Sequence, residues 1–91
     1  KNIKFFYEFE AEVVILHHPT TIKENYQPTI HCGTITQTAK ICSMEQNILR
    51  TGDRSKIKFR FMYRPEFIEK NNYLVFREGQ TKGIGKVINV F

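Results

Sequence analysis

Short runs of alternating apolar and polar residues dominate the sequence, and this two-residue period is that of a β-strand. The clearest run covers residues 56–64. Its predicted inward side chains are Ile57, Phe59, Phe61 and Tyr63, and its predicted outward ones are Lys56, Lys58, Arg60 and Arg64. Further strand-like runs cover residues 5–16, 28–32, 34–41, 74–76 and 86–91. The sequence therefore predicts about six strands, separated by turns that contain glycine, proline and asparagine.

No long stretch has the period of a helix, and only residues 44–49 are a candidate for a short one. Strands at this spacing favour a small sandwich or a barrel. A closed barrel is the preferred prediction, because closure pairs the edges that six short strands would otherwise expose. The predicted fold class is all-β, with a single domain over residues 1–91. Since the chain begins with Lys1 and enters a strand almost at once, we expect a domain excised from a larger protein.

The two C-terminal strands, 74–76 and 86–91, are predicted to form a β-hairpin. Residues 77–85 between them carry charges of both signs and three glycines. Such a tip lets backbone approach a ligand closely, beside Arg77 and Lys82. The same glycines also suit turn and bulge geometry, so both interpretations stay open.

The glycines of this segment do not form a nucleotide-binding loop. A P-loop requires G-x-x-x-x-G-K-[ST] ahead of a helix, but Gly85-Lys86 is followed by Val87, and Gln80 stands where the first glycine is needed. The third glycine of a dinucleotide fingerprint is also absent. We therefore expect this chain to bind neither GTP nor NAD and to need no cofactor.

Residue types that can bind zinc occur at His17, His18, His31 and Cys32. Adjacent residues on a strand point to opposite faces, so no metal site is expected, and Cys32 lacks an oriented base for catalysis.

Cys32 and Cys42 are predicted to be free buried thiols, because no secretory signal accompanies them. No apolar run reaches the roughly 18 residues of a membrane span. A cytoplasmic, non-catalytic domain without membrane contact is expected.

The net charge of +5 comes entirely from the second half of the chain. Residues 1–50 carry five basic and five acidic side chains, whereas residues 51–91 carry nine basic and four acidic ones. A basic half suggests an anionic partner such as RNA.

The outward basic side chains between residues 56 and 60 most simply form a solvated face. Their charge is predicted to be offset across a strand pair by Glu8, Glu10 and Glu12. Arg64 is the exception, because it ends its strand beside Pro65, where its side chain can reach outward.

Five motifs in order resemble one protein family over nearly the whole chain. They are His18-Pro19, Tyr26-x-Pro28, Gly52-Asp53, Arg64-Pro65 and Arg77-Glu78-Gly79-x-Thr81. Their order and spacing resemble the third domain of elongation factor 1-alpha and of its bacterial counterpart, elongation factor Tu. Within that family, the chain looks closest to the branch of the eukaryotic GTP-binding proteins 1 and 2. The resemblance implies a closed six-stranded antiparallel Greek-key barrel at the C-terminal end of a translational GTPase.

The resemblance also implies partners and site residues. In that family the barrel packs on domain II and on the G domain, which would bind GTP and magnesium outside this chain. Its surface contacts the T-stem of a bound tRNA, so RNA contacts are expected at His18, Thr29, Thr38, Arg64, Glu78 and Gly79. Arg77 is expected to make an interdomain contact. This interpretation requires that Arg64 and Gly79 are both exposed and can face the same RNA.

A protein-interaction module is the alternative hypothesis, with an exchange factor or an RNA-decay protein as the partner. Salt distinguishes the two, because phosphate neutralisation weakens steeply with ionic strength and an apolar interface does not. A free-standing enzyme is the third class, and the isolated domain is expected to be inert.

Overall fold

The computed structural model describes residues 4–17, 22, 24–46 and 48–91, and this part of the chain contains six strands and no helix. The strands are β1 (Glu8–His17), β2 (Thr29–Cys32), β3 (Ile35–Met44), β4 (Arg54–Phe61), β5 (Tyr73–Glu78) and β6 (Thr81–Val90). The described part of the helix candidate at 44–49 contains bends, and Leu49 pairs with Ile22. No helix long and apolar enough to cross a membrane occurs in the described residues.

The six strands close on themselves, with every neighbouring pair antiparallel, in the order β1-β4-β3-β2-β5-β6. Strands β2, β3 and β4 are successive antiparallel neighbours, and β5 returns to lie beside β2, which is a Greek key. The predicted barrel is therefore confirmed. Closure also gives both sides of each strand a partner, which removes open sheet edges.

Phenylalanine rings fill the barrel, because alternate residues of each strand face inward. Phe9 stacks on Phe59 with ring centroids 5.2 Å apart, and Phe59 lies 6.1 Å from Phe76. Phe61 joins them, with its centroid 5.2 Å from that of Phe9. The predicted inward position of Tyr63 is wrong, since its side chain is 72% exposed. Strand β4 ends at Phe61, so the alternation no longer applies two residues later.

The C-terminal hairpin is tighter than the sequence indicates. Strand β5 pairs along its full length with residues 81–86 of β6, so the connection is a two-residue turn at 79–80 rather than residues 77–85. Gly79 has a φ of 60°, a conformation that glycine adopts without strain. Of the three glycines in residues 77–85, Gly79 is therefore the one that forms the turn.

Gly83 and Gly85 lie inside β6, where the barrel wall leaves no room for a side chain. A Cβ added to Gly83 would lie 2.3 Å from Cζ of Phe76, and one added to Gly85 would lie 2.6 Å from Cγ1 of Val13. Both positions lie within a paired strand, so their predicted place in a hairpin tip is wrong. They allow core side chains to pack directly against backbone.

Candidate nucleic-acid interface

Five outward-facing residues from five strands form one row across the barrel. Thr29 pairs with Thr38 on one side and with Arg77 on the other. Arg77 in turn pairs with Lys82, and Lys82 with His17. Directly paired residues share a face of the sheet, so these side chains lie on one surface, here called the outer row. The sequence analysis singled out Thr29, Thr38, Arg77 and Lys82 for partner or ligand contacts, and the strand register places these four residues in one row and adds His17.

Arg77 and Lys82 place like charges opposite each other, whereas basic residues of β4 face a carboxylate. Glu8 lies 3.2 Å from Nζ of Lys58 and 3.1 Å from Nη1 of Arg60. The hydrogen bond from Lys58 is the main cause that lowers the pKa of Glu8, against an opposing effect of burial. The predicted offset of the β4 charges is therefore confirmed for Glu8, whereas Glu10 and Glu12 lie opposite Lys58 and Lys56 by register alone. Within the described ranges, neither Arg77 nor Lys82 has an ion pair to a carboxylate.

Arg64 lies in the segment that follows β4, here called the Arg64 corner (residues 62–66). Its side chain is 62% exposed, and its Nε lies 3.5 Å from Oε2 of Glu66. The corner begins beside the outer row, since the backbone N–H of Met62 donates to the carbonyl of Thr38 at 3.0 Å. The structure thus places an exposed guanidinium next to a threonine of the row.

Glu78 and Gly79 lie exposed at the end of β5, and a tyrosine holds the carboxylate there. The hydroxyl of Tyr26 donates to Oε1 of Glu78 at 3.0 Å. Burial raises the pKa of Tyr26 to about 12, helped by Glu78 and opposed by a hydrogen bond with Thr81. The phenol therefore stays protonated and remains a donor to Glu78 throughout the physiological range.

This shifted phenol predicts a loss of stability at alkaline pH. The unfolded chain releases the proton near pH 10 and the folded chain near pH 12, so the contribution is complete below pH 10 and is lost on the way to pH 12. Between these values, we expect the free energy of unfolding to fall more steeply for the wild type than for Tyr26→Phe. Urea titrations at several pH values measure the difference. Parallel curves would contradict the assignment.

The predicted RNA-binding residues form a band rather than a cluster. Arg64 lies two residues beyond Met62, which neighbours Thr38, and Gly79 lies two residues beyond Arg77. Because β4 and β5 run in opposite directions, these two residues flank the outer row on opposite sides. Thr38 and Thr29 occupy the two strands between them. Both Arg64 and Gly79 are exposed, so neither is covered by packed side chains. His18 lies outside the described residues, and its role stays a prediction.

An apolar groove of about 660 Å³ is the second surface feature, on the outside of β1, β6 and β5. Val14 pairs with Ile84, Ile84 pairs with Val75, and the neighbouring Tyr73 is 75% exposed. Charged residues along the groove are Glu12, Arg54 and Lys86. The sequence did not reveal this surface, because its members are brought together from separate strands by register alone.

The cysteines are free thiols, as predicted, although only Cys32 is buried and Cys42 is partly exposed. Burial raises the pKa of both thiols, which disfavours the reactive thiolate. Cys32 points inward while His31 is exposed, so the two side chains diverge as expected. In the part of the chain that the structure covers, no three His, Cys, Asp or Glu residues converge as metal ligands would.

The Greek-key barrel, with its exposed basic and hydroxyl-bearing outer row, defines a β-barrel domain of the elongation-factor type. Residues 2–91 match the family of the elongation factor Tu C-terminal domain, and the chain belongs to that family. The resemblance that the five motifs carry is thereby confirmed.

Three relatives illustrate the relationship. The chain is 52% identical over 86 residues to GTP-binding protein 1 of Xenopus laevis, which covers 94% of this chain and 13% of that protein. It is 45% identical over 83 residues to GTP-binding protein 2 of Mus musculus, covering 90% of this chain and 14% of the relative. Elongation factor 1-alpha of Methanocella arvoryzae is 32% identical over 104 residues, with 91% and 24% covered. The chain thus corresponds to a small part of each relative.

Proposed function

We propose that this chain is the non-catalytic C-terminal barrel of a translational GTPase and binds the backbone of RNA, with the T-stem of tRNA as the ligand. GTP and magnesium would be bound by another domain of the same protein. Relatives named as GTP-binding proteins and elongation factors support this proposal. A role in translation implies the cytoplasm as the compartment.

The observation that carries the proposal is the outer row, which places Thr38, Thr29, Arg77 and Lys82 in register. A-form RNA presents phosphates, 2′-hydroxyls and a shallow minor groove, and proteins recognise it by shape and backbone contacts. Threonine hydroxyls can bond phosphate or ribose oxygens, and the two cations can neutralise phosphates. The sequence predicts an interdomain contact for Arg77, but its place beside Thr29 favours RNA instead.

The two ends of the band add complementary chemistry. Arg64 can contact a phosphate through its guanidinium, since its side chain is largely exposed. At the other end, the carboxylate of Glu78 can accept a hydrogen bond from a 2′-hydroxyl. Gly79 carries no side chain that would hold the RNA backbone away from the turn. An extended ligand suits such a band better than a compact one.

The apolar groove is the surface that we assign to domain II or the G domain. The exposed side chains of Ile84 and Tyr73 and the partly buried valines beside them gain from being covered, because apolar burial stabilises an interface. The groove lies across β1, β6 and β5, so it can be occupied while Arg64 and the threonines of β2 and β3 stay accessible.

Titration of the complete protein with aminoacyl-tRNA tests the proposal. Arg64→Ala is expected to weaken binding about tenfold and to reduce the slope of log affinity against log salt by about 0.7–0.9, because one phosphate contact is lost. Lys56→Ala is the matched control, since it removes one charge from β4 opposite Glu12 and should leave affinity unchanged within about twofold. Equal affinities for Arg64→Ala and wild type would refute this assignment of the RNA surface.

A protein-interaction module is the second candidate, and the apolar groove is the observation that favours it. An exchange factor or an RNA-decay protein would then occupy the groove in place of a neighbouring domain. Binding through these apolar side chains would change little between low and high salt, unlike binding to RNA. A complex that Ile84→Asp abolishes and that resists high salt would support this candidate.

A further inference from the structure

Gln37 is a polar side chain in a position of β3 that otherwise faces the apolar interior. Its inward neighbours on the strand are Ile35 and Ala39, and Gln37 itself is only 4% exposed. A buried amide costs free energy unless its donors and acceptor find partners. The partners of Gln37 therefore indicate why a glutamine can occupy this position.

All recorded partners of this amide lie in the Arg64 corner. Oε1 of Gln37 accepts hydrogen bonds from the backbone N–H of Tyr63 at 2.8 Å and of Arg64 at 2.9 Å. Nε2 donates to Oε2 of Glu66 at 2.6 Å. One side chain from the barrel interior thus fixes three residues of a segment that has already left its strand.

Glu66 passes this constraint on to the guanidinium of Arg64. The backbone of Glu66 is held by two hydrogen bonds with Phe6, each 2.9 Å long. Its Oε2, the oxygen bonded to Gln37, also lies 3.5 Å from Nε of Arg64. Because the recorded contact uses Nε, the two terminal nitrogens of the guanidinium stay available for a bidentate contact with phosphate.

We infer that Gln37 is a positioning residue for Arg64, which raises RNA affinity without touching RNA. The inference rests on the proposed function, since it assumes that Arg64 contacts a phosphate. A fixed corner and a held guanidinium lose less conformational entropy on binding than a free arginine would. Gln37 also secures the local backbone, so the test separates positioning from support of the fold.

A double-mutant cycle in the complete protein makes this separation, with tRNA affinity as the readout. Gln37→Leu has a similar size and makes none of the three hydrogen bonds. We expect it to weaken tRNA binding about fivefold on its own, the effect of freeing one long side chain. In the Arg64→Ala background the same change should have no further effect, because the residue it positions is gone. Equal losses in both backgrounds would overturn the inference.

Two further variants keep the experiment decisive. Ile41→Val alters another buried position of β3 and should lower stability while leaving tRNA affinity unchanged. If Gln37→Leu does not fold, Gln37→Glu takes its place, because it keeps an acceptor for both N–H groups but sets a carboxylate against Glu66. Two carboxylates this close share a proton as pH falls, so affinity relative to wild type should recover towards pH 5. Absence of recovery would overturn the inference, whereas a silent Arg64→Ala would refute the proposed function instead.

Discussion

Gly83→Ala is expected to lower the free energy of unfolding by about 3 kcal/mol, the largest stability effect predicted for a single methyl group in this barrel. The new Cβ would lie 2.3 Å from Cζ and 2.4 Å from Cε2 of Phe76. Phe76 is fully buried, and its ring packs beside Phe59, so it cannot move aside without disturbing the core. Denaturant titration followed by far-ultraviolet circular dichroism measures the change.

Gly79→Ala is the matched control for this variant, because the chemical change is the same. No atom lies within 4 Å of a Cβ added there, so only the positive φ of 60° opposes the substitution. A left-handed alanine costs roughly 1 kcal/mol. If Gly83→Ala were no more destabilising than Gly79→Ala, direct packing of Phe76 on the β6 backbone would be refuted.

Removal of both cations from the centre of the outer row, in Arg77→Gln/Lys82→Gln, is expected to weaken tRNA binding about thirtyfold. This corresponds to roughly 1 kcal/mol for each of two charged contacts. The salt slope should fall by about 1.4–1.8, since two phosphates would no longer be neutralised. The two cations face each other across β5 and β6 without a carboxylate partner among the described residues, so stability should rise slightly or stay constant. Fluorescence anisotropy at several salt concentrations provides both quantities.

Lys56→Gln/Arg50→Gln is the control for net charge, because it removes the same two charges elsewhere. Lys56 faces Glu12 across β1 and β4, and Arg50 precedes the turn that leads into β4. If the outer row is the binding surface, this control should weaken binding less than about threefold through the long-range field alone. Similar losses for the two double variants would mean that overall charge, and not the outer row, attracts RNA.

The alternation of apolar and polar residues predicted the positions of the strands reliably. The alternation that ends at Phe61 identified β4, and similar runs located the other strands, because a half-buried strand must alternate. The closed barrel was predicted because an open sheet of six short strands would leave its edges unpaired. The Greek-key strand order and the expectation of tRNA as a partner came from the family resemblance, because no local pattern indicates that β5 returns beside β2.

What the sequence could not predict depends on register and on contacts between distant residues. Pairing between β1 and β6 shifts between Ile15 and His17, so counting along the chain does not place Lys82 opposite His17. Tyr63 lies beyond the end of β4, where its backbone N–H donates to a buried glutamine 26 residues earlier in the chain. Nothing local marks Gly83 as a packing position, because its neighbour Phe76 belongs to the preceding strand.

The seam between β1 and β6 sets the order in which this domain can be completed during synthesis. The first long strand finds one of its two partners only in the last one, more than sixty residues later along the chain. A ribosome that has made β1 to β5 therefore holds a nascent chain with an open cylinder and exposed aromatic rings. Such distant pairing is slow, and exposed apolar side chains and unpaired strand edges favour aggregation until β6 pairs with β1.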